Sequence, residues 1–285
     1  MRLTKTRFKY FLATVSLIAV MQQCCLADGF PIRPRSFLVS PSVTYFFANK
    51  GWDSLRVLRP FARNGQFSSM TYSLYAEYGI SRRWSLVASL PYVMNQYAQT
   101  DSTGRFATKS NGLTDLETGL RYYLANINYR FYFMLQGTVI TPLYTNLALG
   151  YGLTGAELKL SFAGSGRFSG GTGYYFTVEN GVRQYFGSNG PWQDRYNGTF
   201  GLTLDQKFMN QLSVSLGGIY SASNFKKFSV NPAVNKNFAF NQVTLSYGHS
   251  FTRGFSVFVS GGTFINGRNT GDGSSVSVSL VMRTF

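Results

Sequence analysis

Cysteine, histidine and charge are all scarce in this chain of 285 residues. There are 2 cysteines and 1 histidine, and Asp, Glu, Lys and Arg together make up 13 % of the residues. Both cysteines, Cys24 and Cys25, lie near the N-terminus in a segment that reads as a cleavable leader. The remainder then has no thiol for a disulfide or a thiolate metal site. A Cys/His metal centre is excluded by count. Asp101, Asp194 and Asp272 stand in loops without the oxygen-rich spacing of a calcium site, so no metal and no cofactor is expected. Long apolar runs are also missing. The one candidate, Tyr10 to Met21, is shorter than the roughly 20 residues a spanning helix needs.

That apolar stretch follows the basic start Met1-Arg-Leu-Thr-Lys-Thr-Arg-Phe-Lys9 and precedes Gln22-Gln-Cys-Cys-Leu-Ala27. A basic start, a short apolar core and a small residue at the exit predict a secretory signal over residues 1–27, cleaved after Ala27. Lipidation at Cys24 or Cys25 is the rival. Small residues should precede a lipidated cysteine, and Met21-Gln22-Gln23 does not supply them.

What is abundant is Tyr, Phe, Gly, Ser, Thr and Asn, arranged with a period of two. Twelve strands are predicted, at 40–48, 66–80, 84–97, 114–125, 129–141, 153–163, 173–186, 196–208, 211–224, 239–251, 255–266 and 274–285. Tight connections (81–83, 126–128, 209–210, 252–254, with a longer 164–172) alternate with long polar ones (49–65, 99–113, 142–152, 187–195, 225–238, 267–273). The fold class expected is all-β: a transmembrane, antiparallel, up-and-down β-barrel of about 12 strands. Residues 28–39, with Pro31 and Pro34, form an N-terminal lead-in or short plug, and 40–285 form the barrel. Mean hydropathy near zero suits strands that alternate apolar-out and polar-in. Trp84, Tyr129, Phe131, Phe208, Phe251 and Phe255 flank the short turns, where an interfacial girdle belongs. The chain ends on alternating residues from Ser274 to Phe285. Phe285 is read as a terminal aromatic signal for the barrel assembly machinery. Val276, Val278, Leu280 and Met282 are out of phase with it, and a bulge near Arg283 would restore the phase.

Parity assigns Glu77, Asp115, Glu117, Arg121, Arg130, Glu157, Lys159, Glu179, Arg183, Asp205 and Lys207 to the lumen, because Arg or Lys facing lipid at mid-depth costs about 2–4 kcal/mol. Such a set would line a water-filled pore or pair into a network that braces the wall. The net charge of +16 is placed mainly in the outer loops. There Lys50, Arg56, Arg59, Arg63, Lys226 and Lys227 would meet lipopolysaccharide phosphates or draw anionic solutes. Arg195 is assigned to a loop as well. In this compartment nucleic acid is not a partner; membrane lipid and a small solute are.

Two segments carry a resemblance. Tyr78-Gly-Ile-Ser-Arg-Arg-Trp-Ser-Leu-Val-Ala-Ser-Leu-Pro-Tyr92 is a strand–turn–strand unit ending in Leu-Pro-Tyr. Asn111-Gly-Leu-Thr-Asp-Leu-Glu-Thr-Gly-Leu-Arg-Tyr-Tyr123 is similar to a Gly-Leu-Gly-Asp-Leu-x-x-Gly-x-Arg-Tyr pattern, with Thr114 in place of its second Gly. Both resemble outer-membrane proteins grouped with the meta-pathway of phenol degradation, a group similar to transporters of aromatic and other hydrophobic compounds. The resemblance covers about residues 70–125. It implies a passive channel or uptake barrel. A closed structural or surface-interaction barrel is the alternative, marked by complete pairing of the inward charges. A lipid hydrolase is the remote one. His249, its only histidine, sits beside the turn at 252–254, far from the outer leaflet where such hydrolases work, with no carboxylate placed to orient it.

Overall fold

The computed structural model describes residues 30–284 apart from 103, 208, 227, 228, 230, 232 and 233. The signal at 1–27 and the assembly signal Phe285 lie outside the described residues. Fourteen strands form one antiparallel sheet: β1 Phe37–Trp52, β2 Leu58–Pro60, β3 Gln66–Gly79, β4 Trp84–Asp101, β5 Gly104–Leu113, β6 Asp115–Ile127, β7 Phe131–Pro142, β8 Gly155–Arg167, β9 Gly173–Tyr185, β10 Trp192–Thr203, β11 Asn210–Ala222, β12 Phe238–Thr252, β13 Phe255–Arg268 and β14 Thr270–Arg283. Twelve of them close into a barrel, because β14 pairs with β1 along almost the whole of both strands, from Leu38↔Arg283 to Trp52↔Thr270. Closure leaves no unpaired edge, the condition for a sheet that spans lipid. The β1–β14 register holds from Ser42↔Ser279 to Leu38↔Arg283 and shifts only between Ala48 and Lys50. No bulge interrupts the pairing from Ser279 up to Arg283.

The two extra strands lie off the ring. β2 folds back on β1 within the first long connection. β5 pairs with the upper half of β4, while β6 pairs with its lower half. Thr114 separates β5 from β6. The paired residue numbers sum to 205 above it (Tyr92↔Leu113) and 206 below it (Ser89↔Glu117), so Thr114 is the extra residue of a bulge. Its N–H and hydroxyl both donate to Pro91 O, at 3.0 and 3.4 Å. The 99–113 loop is thus a hairpin standing above the barrel. Almost all of β5 is exposed on both faces, so its sequence carries no apolar alternation to detect.

The other departures are local. β10 begins at Trp192 and ends at Thr203. The turn before β7 is Asn128–Arg130. Only Asn269, with φ of 51°, separates β13 from β14, so 267–273 is a tight hairpin rather than a loop.

Period-two patterning separates the faces. Outward positions such as Val43, Leu74, Leu86, Leu120, Leu158, Val178, Phe200, Leu216 and Val276 form an exposed apolar band around the wall. An exposed apolar band that runs around the wall suits an apolar surrounding. Inward positions are mostly buried and are largely polar or aromatic, with a few aliphatic residues such as Val87, Met134 and Ile140 among them. No helix among the described residues is long and apolar enough to cross a membrane.

Candidate functional site

The lumen divides into two sectors. On β3 through β10 it carries charge. Arg121 on β6 is 2 % exposed. Its Nη1 lies 2.8 Å from Glu77 Oε2 on β3, and its Nε and Nη2 donate to Gln136 Oε1 on β7 at 3.0 and 2.8 Å. Ser85 and Tyr75 complete the shell of Glu77 by donating at 2.5 and 3.0 Å. Arg183 on β9 spans further. It reaches Glu157 on the adjacent strand at 2.6 Å and Glu117, three strands away, at 2.7 Å. Arg195 on β10 approaches the same carboxylates, Glu157 at 3.5 Å and Glu117 at 3.9 Å. Lys159 pairs with Glu179 at 3.6 Å. Tyr185 donates to Asp115 at 3.4 Å and receives from Arg183 at 3.2 Å. These contacts cross the lumen as well as running along the wall.

Glu77, Asp115, Glu117, Arg121, Glu157, Lys159, Glu179 and Arg183 therefore lie in the interior in three groups: Arg121 with Glu77, Arg183 with Glu117, Glu157 and (through Tyr185) Asp115, and Lys159 with Glu179. Three assignments are corrected. Arg130 is exposed in the β6–β7 turn. Asp205 and Lys207 lie in the β10–β11 turn, because β10 stops at Thr203. There Asp205 accepts from Met209 N at 3.1 Å and from Asn210 N and Nδ2 at 2.5 and 2.8 Å. These bonds hold its carboxyl below the usual range. In place of those three, the lumen gains Arg195. Starting the strand at Trp192 gives Arg195 the inward parity of Gln193 and Asn197. Tyr196 beside it hid the strand's beginning in a segment rich in Gly, Asn and Asp.

On β11–β14 the inward side chains are mostly Ser and Thr, among them Ser213, Ser215, Thr244, Ser246, Ser260 and Ser275, and an aromatic cluster fills the lumen towards the long-loop end. Phe46, Phe67, Phe264, Trp52 and Phe61 are buried together, with Tyr97 and Phe240 against them. Phe240 and Phe264 stack with centroids 4.1 Å apart, and Phe46 lies 5.9 Å from both Phe67 and Phe264. Glycines on neighbouring strands make room for such rings. Phe46 lies against Gly273 and Phe258 against Gly248, where any added Cβ would overlap the ring.

Both mouths are covered. At the end bearing the short turns, residues 30–36 cross the opening. Phe30 meets Tyr132 of β7 edge-on at 5.7 Å, and Ile32 packs on Leu38, Phe258 and Val281. Arg35 N donates to Gly79 O, and Gly79 N to Ser36 O. Pro31 and Ile32 roof a small space floored by Arg121 and Met134. At the other end, the β7–β8 and β11–β12 connections meet over the lumen. Tyr151 donates to Asn235 O at 2.5 Å, Gln193 donates to Tyr151, and Asn231 donates to Ala148 O at 2.7 Å. Asn235 is 2 % exposed and also donates to Asn269 O at 3.2 Å. Burial pushes the Tyr151 and Tyr144 phenols well above their ordinary range. No sequence pattern announced this lid, since its contacts join polar loops through side chain and backbone.

Of the outer basic residues, Lys50, Arg56, Arg59, Arg63 and Lys226 are exposed, and Lys227 lies outside the described residues. Arg59 is held by Asp53 at 3.4 Å within its own loop. His249 Nδ1 lies 2.8 Å from an amide oxygen, Asn210 Oδ1, and its ring stands edge-on to Phe251. Among the described residues, no group of three metal-binding side chains assembles.

No family model and no curated protein sequence matches the chain. Solved structures do. An outer membrane channel from Pseudomonas putida F1 is similar with a TM-score of 0.63 and 10 % identity, over 93 % of this chain and all (100 %) of that one. The transport unit of the autotransporter AIDA-I from Escherichia coli gives 0.53 at 8 % identity, covering 96 % and 97 %. The translocator domain of the autotransporter NalP from Neisseria meningitidis gives 0.50 at 11 % identity, covering 98 % and 97 %. At these identities the likeness is one of fold: a closed outer-membrane β-barrel.

Proposed function

We propose that the chain is an outer-membrane transport barrel for passive entry of small solutes, with aromatic or other hydrophobic compounds as the preferred class. In this reading the short turns and termini face the periplasm, the long loops face outward, and a signal peptide directs export. The observation that carries it is the lumen. Its wall is complete, and each mouth is covered by a segment distinct from the wall: residues 30–36 on one side, the β7–β8 and β11–β12 loops on the other. An apolar solute that inserts beside the Phe46–Phe67–Phe240–Phe264 cluster would remove its own apolar surface from water, a gain of about 25 cal/mol per Å². A charged solute would have to compete with the paired carboxylates and guanidinium groups. The channel from Pseudomonas putida F1, which shares the fold, supports the class of protein. His249 has an amide partner in place of the carboxylate a catalytic dyad needs, so no chemical step is assigned.

Single-channel conductance in a planar bilayer, read beside uptake of a hydrophobic fluorophore into vesicles, tests the proposal. The expected result is small, infrequent current steps with measurable fluorophore uptake. A folded protein that passes neither would favour the second reading, a closed structural barrel. The pairing of Glu77, Glu117, Glu157 and Glu179 with cations is the observation that favours that second reading.

A further inference from the structure

The turn end of the barrel carries an unassigned ring of positive charge. Arg82, Arg83, Arg130, Arg167, Lys207 and Arg253 stand on successive turns or strand ends, and all six are exposed. Among the described residues of these turns the only acid is Asp205, and its carboxylate is engaged by its own turn. The ring follows the perimeter; it is not gathered on one side. Exposed aromatic side chains stand at the same height: Trp84, Tyr129, Phe168 and Phe251. The best-formed element is on the β3–β4 turn. Arg83 Nη1 donates to the outward Tyr122 hydroxyl at 3.1 Å, and Tyr122 lies 4.5 Å, centroid to centroid, from Trp84. A guanidinium anchored above two amphipathic rings sits where the acyl region gives way to headgroups.

We infer that this rim binds the phosphates of anionic glycerophospholipids in the periplasmic leaflet. Guanidinium and ammonium groups at a membrane surface attract anionic lipid, and phosphate accepts guanidinium hydrogen bonds in pairs. A docked protein would engage one side or the centre of the mouth. A continuous perimeter of charge above a continuous aromatic girdle matches lipid, which surrounds the barrel. Arg33 and Arg35, exposed on the segment over the mouth, lie inside the ring and serve as the control. The inference takes only the bilayer orientation from the proposed function. It does not require transport, so a silent channel leaves it standing.

The test uses the full chain refolded into phosphatidylcholine vesicles with a fraction of acyl-brominated lipid, in a W192F background. Trp84 then reports the turn end, while Trp52, buried in the lumen, adds a constant signal. Brominated phosphatidylglycerol should out-compete brominated phosphatidylcholine at Trp84 by about fivefold, the equivalent of one cation–phosphate contact. The preference should collapse towards unity at about 1 M salt, where screening is complete within a contact distance. It should fall likewise in R82Q/R83Q and survive in R33Q/R35Q. Equal quenching by the two lipids in the unsubstituted rim overturns the inference. So does a preference that ignores salt, which no charge ring would produce. A preference lost only in R33Q/R35Q also overturns it, and would place the lipid contact on the segment over the mouth. The salt arm needs no rim variant to fold.

Discussion

Arg183 shows how much rests on single side chains in the lumen. It is 4 % exposed and bridges Glu157 and Glu117. Replacing it with Met would leave two buried carboxylates sharing Arg195, the more distant cation. Breaking a buried pair from one side costs about 3–5 kcal/mol, because the stranded charge keeps its desolvation penalty. Urea unfolding of the vesicle-inserted R183M protein should show a loss of that size. The R183M/E117Q/E157Q protein should recover most of it, since the charges leave together. Asp205 makes a different prediction. Its carboxyl is held below its ordinary value by backbone N–H donors, so the turn is stabilised above the unfolded carboxyl pKa, about 4. That contribution is lost as pH falls through the lower folded value. The protection of the Met209 and Asn210 amides, the slowing of their exchange relative to the intrinsic rate at the same pH, should therefore fall below about pH 4. In D205A it should be low already at neutral pH.

At the scale of elements, legibility in the sequence tracked burial asymmetry. β3, β6, β8 and β9 each have one apolar, outward face and one polar, inward face, and parity along them placed Glu77, Glu117, Glu157 and Arg183 in the lumen. β5 is wet on both faces and left no trace. β10 opens with Trp-Gln-Asp-Arg-Tyr-Asn, where polar residues occupy both faces near the rim: Asp194 points outward to Asn180 at 2.7 Å. The strand's start, and with it Arg195, was therefore missed. The Thr114 bulge was visible only as a departure from a glycine pattern. The lid was illegible for a different reason, since Tyr151, Asn231 and Asn235 act on backbone carbonyls of residues far away in the chain. Tyr151→Phe removes the donor to Asn235 O and should loosen the lid by about 1 kcal/mol. The phenol's raised pKa means its bond survives to alkaline pH and its contribution is lost only above the ordinary tyrosine value, about 10. Open probability in a bilayer should rise in Y151F at neutral pH, and in the unsubstituted protein only in strong alkali. An unchanged open probability would mean that the loops do not close the mouth.

For the whole molecule, the question is whether the paired charges only brace the wall or also shape the field along the lumen. Asp115 and Glu117 stand in the region that Tyr185, Arg183 and Arg195 enclose. If ions pass through that region, the double substitution D115N/E117Q removes two negative charges and frees part of the field of two guanidinium groups. Selectivity should then move towards anions. At an effective dielectric of about 20, a unit charge about 4 Å from the path is worth about 4 kcal/mol, reduced by whatever counter-ion enters. A shift of reversal potential in a salt gradient should therefore be readily measured. The covered mouths make the same experiment more demanding. Residues 30–36 pack on Tyr132, Leu38, Phe258 and Val281 and would limit current whatever the charge inside. A protein lacking 28–35 should conduct more than the full chain, and the D115N/E117Q shift should appear in both. A shift confined to the shortened protein would place the ion path beneath that segment and make it the closing element. No shift in either protein would mean that ions bypass Asp115 and Glu117, and that these two carboxylates serve the wall alone.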